Sequence, residues 1–253
     1  MLFDMYVGQF YYNIKHNHFF ALKKYMPYFV PMNNGAKDVL YRVRTLFVPY
    51  LFILSACLII KLLFTRAEIY FAVNSYYTPF LDAVEPYITH LGDGWTMIAL
   101  AAVLVFFSYR AAFLTITSYA VTALTAQVLK YSFDMPRPRI YFEAELSRIH
   151  FVKGLYILAT HSFPSGHTVT AFSLGIVVTY LLKNKNWGWL FLFYALIVGY
   201  SRMYLSQHFF EDVLGGSAIG VFVTVAWLTY LDSLKFINSP RLQRGLVINL
   251  KLS

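Results

Sequence analysis

The stretch Ser201-Arg202-Met203-Tyr204-Leu205-Ser206-Gln207-His208-Phe209-Phe210-Glu211-Asp212 sets an arginine, a histidine and two carboxylates between apolar runs. His208 and Asp212 are four residues apart, which on a helix puts them on one face. A carboxylate so placed keeps one imidazole nitrogen protonated and leaves the other with a lone pair for attack. Two further clusters add to this. Lys130 is followed by Arg137-Pro138 in "KYSFDMPRP", and Pro164-Ser165-Gly166-His167 opens another apolar run. Lys130, Arg137 and Arg202 are permanent cations; guanidinium groups take phosphate oxygens in pairs, and ammonium acts as a point charge. Ser165 can cap the helix that follows and donate its hydroxyl to an anion. Gly166 admits close backbone approach, and the helix N-terminus offers free N–H groups and a favourable dipole. His167, in a different motif from His208, can protonate a departing oxygen. A nucleophile, its orienter, a separate acid and a cradle of cations suffice for phosphoryl transfer with no metal and no cofactor, because the cations stabilise the charge on the transferring group.

Taken together, Lys130-x6-Arg137-Pro138, Pro164-Ser165-Gly166-His167 and Ser201-Arg202-x5-His208-x3-Asp212 resemble the three-part signature of the type 2 phosphatidic acid phosphatase superfamily. That family includes membrane lipid phosphatases, glucose-6-phosphatases and vanadium haloperoxidases. Each fixed position of the signature is present, in order and at the expected spacing. The resemblance implies that His208 becomes a phosphohistidine, that Asp212 orients it and that His167 protonates the leaving group. It implies that Lys130, Arg137, Ser165, Gly166 and Arg202 bind the phosphoryl oxygens. The activity implied is hydrolysis of a lipid phosphomonoester or diphosphate, with undecaprenyl diphosphate, phosphatidylglycerophosphate, phosphatidic acid and lipid A as candidates. A lipid phosphotransferase would use the same phosphohistidine with a hydroxyl acceptor in place of water. A non-catalytic lipid-binding protein is a third reading, against which the intact motifs stand. The haloperoxidase reading ranks low, because the known ones resemble soluble helical proteins.

The elements that must position these residues are set by composition. Of 253 residues, 58% are hydrophobic and only 13% charged, against about 25% charged in a soluble domain. The expected fold is all-α: a six-transmembrane helical bundle with an N-terminal interfacial amphipathic helix. The spans fall at about 46–64, 91–109, 111–130, 165–182, 187–205 and 213–231, near the ~20 residues a bilayer requires. Gly92-Asp93-Gly94 weakens the start of the second. Residues 3–22 carry an apolar stripe at helical steps, suited to the membrane interface. The domain reading is 1–45 as a cytoplasmic or interfacial segment, 46–232 as the six-span phosphatase domain and 233–253 as a cytoplasmic tail. "MLFDMYVGQF" lacks the basic start and cleavage site of a secretory signal. Cys57, the only cysteine, excludes an internal disulfide and a cysteine-based metal cage.

A net charge of +9 would suggest nucleic acid as partner of a soluble protein. Here it reads as membrane orientation instead: no nucleic acid, and the bilayer with a lipid phosphate as partners. With the N-terminus inside, thirteen Lys and Arg fall on the inner side and eight on the outer, as the positive-inside rule favours. Both termini are then cytoplasmic and all three motifs lie on the outer side, which suggests a bacterial inner membrane with a periplasmic site, with an ER-lumenal site as the alternative. Outside the motifs, Glu211 is a competitor for His208 or a solvated loop acid, and His161 is a neighbour of the site. His150, Arg139, Arg148 and Lys153 read as loop charges, and His16, His18 and His90 have no assigned partner.

Overall fold

A computed structural model of the chain describes residues 35–247. The interfacial helix expected over 3–22 lies outside the described residues, as do residues 248–253. Within them every regular element is helical. The helices are α1 (Ala36–Leu63), α2 (Arg66–Ser75), α3 (Pro79–Ile88), α4 (Gly94–Phe107), α5 (Tyr109–Phe133), the single turn α6 (Pro138–Tyr141), α7 (Gly166–Leu181), α8 (Trp187–Tyr204) and α9 (Phe210–Ser233). Short 3-10 turns lie at Thr89–Gly92, Glu143–Arg148 and Lys235–Asn238.

The bundle is built around α7. Thirteen of its 16 residues are buried, with α8, α9, α5 and α1 packed about it. Two of its hydroxyls bond inside the bundle: Thr170 donates to the Gly166 carbonyl at 3.1 Å, and Ser173 accepts from Thr224 of α9 at 2.8 Å. Helix α1 presents Val39, Val43, Leu46 and Tyr50, spaced by three and four, to the core. Its other face leaves Phe52, Leu58, Ile59, Leu62 and Leu63 exposed, which is the composition of a surface solvated by lipid rather than water.

Close helix contact depends on two small residues of α9. A Cβ on Gly216 would fall 2.7 Å from the Ser165 carbonyl oxygen, and one on Gly220 would fall 2.6 Å from that of Val169. Glycines four apart let two backbones approach within direct van der Waals range. The contact is tied by a hydrogen bond from Ser165 N–H to the Asp212 carbonyl at 3.0 Å. The ends of α7 and α9 that carry the sequence motifs are thereby locked together.

At the opposite end, Arg110 donates to Asp232 at 2.8 Å and to Tyr180 at 2.9 Å, and the Tyr180 hydroxyl donates to Asp232 at 2.5 Å. Lys185 donates to the carbonyls of Thr179, Tyr180 and Leu182 that end α7. Residues 235–247 fold back under this end. The N–H groups of Tyr109 and Arg110, free at the start of α5, donate to the Arg244 and Leu242 carbonyls at 2.8 and 2.7 Å.

The described residues include three helices long and apolar enough to cross a membrane, Ala36–Leu63, Tyr109–Tyr141 and Phe210–Ser233. A fourth follows if α3 with its 3-10 turn and α4, bent by 54° at Asp93, are one broken span. The protein is therefore an integral membrane protein. The expected segments at 165–182 and 187–205 are helical, as α7 and α8, but they do not meet the same criterion. Helix α7 is 16 residues long and shielded from lipid by its neighbours, so it needs neither the length nor the uniform apolarity of an exposed span. Gly220→Leu should force α9 off α7. The expected cost is about 1–3 kcal/mol of overpacking, seen as a lowered unfolding temperature in detergent, whereas a leucine at lipid-facing Val48 should leave that temperature unchanged.

Candidate active site

The three sequence motifs meet at one end of the bundle. Lys130 lies in the last turn of α5, Arg202 in the last turn of α8, Gly166 opens α7 and Asp212 sits in the first turn of α9. His208 occupies the reverse turn between α8 and α9 and is 1% exposed. Both His208 and Gln207 donate their N–H to the Arg202 carbonyl, at 3.2 and 3.1 Å, so the turn carrying His208 is closed by the residue that carries a cradle guanidinium. Ser206 adopts a φ of 54° in this turn, a left-handed conformation that is disfavoured for a residue with a side chain. Its hydroxyl accepts from Tyr70 at 2.9 Å and from Asn74 at 3.3 Å, so α2 holds the strained turn in place.

The imidazole is oriented through both nitrogens. Nδ1 of His208 faces Asp212 Oδ2 at 3.4 Å, and Nε2 lies 3.3 Å from Arg137 Nη1. A guanidinium only donates, so Nε2 presents its lone pair and the proton sits on Nδ1. Asp212 Oδ2 also accepts from the Phe209 N–H at 2.9 Å and from the Ser162 hydroxyl at 2.5 Å. Burial, reinforced by the charges of Arg137, Arg202, Lys130 and His167, holds the His208 imidazole well below its usual 6.5. It is accordingly a free base at neutral pH and remains one as pH falls through 6.5.

The three cations lie within electrostatic reach of this ring. Arg137 is fixed by bonds to the Thr160 carbonyl at 2.9 Å and to the Gln207 carbonyl and side-chain oxygen at 3.0 and 3.2 Å. Lys130 donates to the His161 carbonyl at 2.7 Å, and its Cε is the nearest atom, at 4.0 Å, to where a side chain on Gly166 would begin. Arg202 donates from Nη1 to Thr89 at 2.5 Å, while its Nε is buried with no partner. Ser165 stands at the N-cap of α7 without capping it; its oxygen instead accepts from the Thr168 hydroxyl at 2.9 Å. That leaves the Ser165 O–H to donate elsewhere. The first intrahelical bond of α7 runs from Val169 N to Ser165 O, so the N–H groups of Gly166, His167 and Thr168 precede it and point out of the helix. These donors, a buried guanidinium N–H and an ammonium are the groups that a phosphate-sized anion calls for.

The structure brings all eight predicted residues to one site and adds others. Glu211 does not compete for His208; it pairs with Arg66, whose guanidinium lies over the Phe209 and Tyr141 rings at 4.7 and 4.9 Å. His161 pairs with Asp134 at 3.0 Å, and His150 pairs with Asp82 at 2.9 Å while stacking on Tyr77. Ser162 and Gln207 sit beside motif residues but act on partners 50 and 70 positions away, and no local pattern announces that. Thr89 and Asp93, in the break between α3 and α4, reach Arg202 and His167. The signal for them was an aspartate between two glycines at the start of an apolar run.

The PAP2 superfamily pattern matches residues 111–235, which contain all three motifs. Undecaprenyl-diphosphatase BcrC of Bacillus subtilis is 26% identical over 174 residues, 66% of this chain and 85% of that protein. Phosphatidylglycerophosphatase B of Bacillus subtilis is 30% identical over 157 residues, 56% of this chain and 71% of that one. The crystal structure of Aquifex aeolicus LpxE superposes with a TM-score of 0.58 at 28% identity, covering 65% of this chain and 94% of that chain. Apolar helices, family match and relatives together define a membrane phosphatase that hydrolyses phosphoester or diphosphate bonds. The chain belongs to the PAP2 superfamily, the type 2 phosphatidic acid phosphatases.

Removing one guanidinium should weaken anion binding more than it disturbs the fold. Arg137→Ala or Arg202→Ala should raise the inhibition constant of orthovanadate about 30-fold, equivalent to ~2 kcal/mol for a buried charge contact. The matched control Arg139→Ala should leave it within about twofold, as expected for a surface substitution.

Proposed function

We propose that this protein removes phosphate from a lipid phosphomonoester or diphosphate through a phosphohistidine on His208. The observation that carries the reading is the orientation of the His208 ring: Nδ1 on Asp212 and the Nε2 lone pair beside Arg137, inside the cation cradle. Nε2 attacks phosphorus as the bond to the leaving oxygen breaks, and His167 gives that oxygen a proton. Water then attacks the phosphohistidine, returns a proton to His167 and releases orthophosphate. Asp212 stabilises the charge that develops on the His208 ring. Lys130, Arg137, Arg202, the Ser165 hydroxyl and the N–H groups from Gly166 onward hold the three equatorial oxygens. The positive charge a divalent metal would bring is already present as side chains, and the same charge repels such an ion.

In this reading the phosphatase domain, 46–232, crosses the membrane six times, as α1 from about residue 46, the bent α3–α4 pair, α5, α7, α8 and α9. The stretch 1–45, whose last ten residues are the first turns of α1, is cytoplasmic or interfacial, and 233–253 is a cytoplasmic tail. Both termini are cytoplasmic and the site faces the periplasm of a bacterial inner membrane. The distribution of Lys and Arg supports that orientation. The site lies at helix ends, the depth of a lipid headgroup. Relatives named for undecaprenyl diphosphate and for phosphatidylglycerophosphate support those two lipids as the first substrates to assay.

Three outcomes are expected. Detergent-solubilised protein releases orthophosphate from one of these lipids, with inhibition by orthovanadate and indifference to EDTA. Acid-stable controls exclude seryl phosphate, while an acid-labile radiolabelled phosphoenzyme forms in the wild type and not in His208→Ala, whose kcat falls about 10⁴-fold or more. Because His208 is held as a free base, the acid limb of kcat/KM, corrected for substrate ionisation, lies below pH 6.5. Loss of activity on chelation, or transfer of the phosphate to a second lipid in place of its release, would contradict the reading.

A further inference from the structure

The break between α3 and α4 supplies part of the site that none of the three motifs contains. Asp93 stands at the N-cap of α4, yet its side chain caps no backbone N–H there. Both of its oxygens go to histidines instead: Oδ1 lies 2.7 Å from His167 Nε2, and Oδ2 lies 2.8 Å from His90 Nδ1. The preceding Gly92 is buried, and a Cβ on it would fall 2.9 Å from the His167 carbonyl oxygen and 3.0 Å from the His167 Cβ. The 89–92 turn is thus pressed directly onto the backbone that carries His167. Three residues earlier than Gly92, Thr89 accepts from Arg202. An ionisable residue in an otherwise apolar span is costly and persists where it has a partner or a role. Capping is excluded by its geometry, and the partner it has is the residue read above as the acid. His167 in turn lies within electrostatic reach of Arg202, Arg137 and His208.

We propose that Asp93 is a positioning residue for leaving-group protonation: it holds a proton on Nε2 of His167 and so turns Nδ1 toward the cradle. The proposal rests on the reading of His167 as the acid. In the first step the P–O bond breaks with its electron pair staying on the leaving oxygen, which takes the proton from Nδ1. His167 is then neutral, with Nε2–H still on Asp93 and a lone pair on Nδ1. In the second step water gives a proton to Nδ1 as its oxygen bonds to phosphorus, and the N–P electron pair returns to His208. The cycle closes with no net proton demand on His167, and the Asp93 carboxylate and the bound phosphate oppose the charge of Arg202 whenever the ring is protonated. His90, largely exposed, holds the second carboxylate oxygen and fixes the rotation of the first.

The test is the dependence of kcat/KM, which reports on steps up to phosphoenzyme formation, on the leaving group. Dodecyl phosphate needs a proton on its alkoxide; a nitrophenyl phosphate does not. The full-length enzyme in detergent is compared with Asp93→Ala, His167→Ala and the double variant. His167→Ala should lose about 10²-fold or more on dodecyl phosphate, and Asp93→Ala about tenfold or more. Each should lose less than about threefold on nitrophenyl phosphate. The double variant should be no slower than His167→Ala, as for residues acting as one unit. Equal losses of Asp93→Ala on both esters, or additive losses in the double variant, would overturn the role of Asp93 while leaving that of His167 standing. Equal losses of His167→Ala on both esters would overturn both. Retained nitrophenyl phosphatase activity shows that a variant is folded; if Asp93→Ala is not, Asp93→Asn keeps the side-chain volume and should show the same discrimination between esters.

Discussion

Two buried guanidinium groups and a half-buried ammonium at one end of an apolar bundle form the constraint on which the rest of this structure depends. Lys130, Arg137 and Arg202 are drawn together although like charges repel and desolvation penalises each of them. Nearby carboxylates answer only part of that charge. Asp212 is committed to Ser162, Phe209 and His208, and Asp93 to two histidines. The arrangement is therefore complementary to a multiply charged anion, and its cost is met by rigid backbone anchors. Arg137 is held by the Thr160 and Gln207 carbonyls, and Lys130 by the His161 carbonyl. Preorganised charge of this kind does not reorganise when the transferring group changes shape, which is where electrostatic catalysis gains most.

The packing explains how such a site is kept in register. The Gly216 and Gly220 contacts bring α9 against α7, and the Ser165–Asp212 backbone bond fixes their ends. The turn that carries His208 and the N-terminus of α7 are then one body. Arg137 bridges from the connection between α5 and α7 to the same turn through Gln207. At the far end the Arg110–Tyr180–Asp232 network and the Lys185 contacts tie α5, α7 and α9 together again. The central helix is pinned at both ends, and the lipid-facing helices carry the apolar surface.

Much of this was legible in the sequence because the chemistry resides in short, fixed spacings. His208 and Asp212 are a helical turn apart, and Ser165 to His167 open a helix. Those relations survive any uncertainty in packing. The all-helical bundle was legible from hydropathy for α1, α5 and α9, whose outer faces meet lipid. It was less legible for α7, because a helix shielded by protein on every side is free of the length and polarity rules that mark a span. The residues missed share a different cause. Ser162, Gln207, Thr89 and Asp93 act across the fold on partners far away in the chain, and one-dimensional spacing holds no record of that. Glu211 looked like a rival to Asp212 only because Arg66, its partner, lies 145 residues away.

The Oδ2 atom of Asp212 receives a serine hydroxyl, a backbone N–H and the His208 ring. Two of those contacts belong to the architecture of the turn and, in the function proposed above, one to the reaction. A substitution at this position would therefore be felt twice, first in folding and then in activity. A lineage that abandons the chemistry while keeping the bundle would still feel selection to retain an acceptor here. An intact aspartate is for that reason weaker testimony to activity than an intact histidine, whose ring nitrogens face Asp212 and Arg137 and no backbone group of the turn.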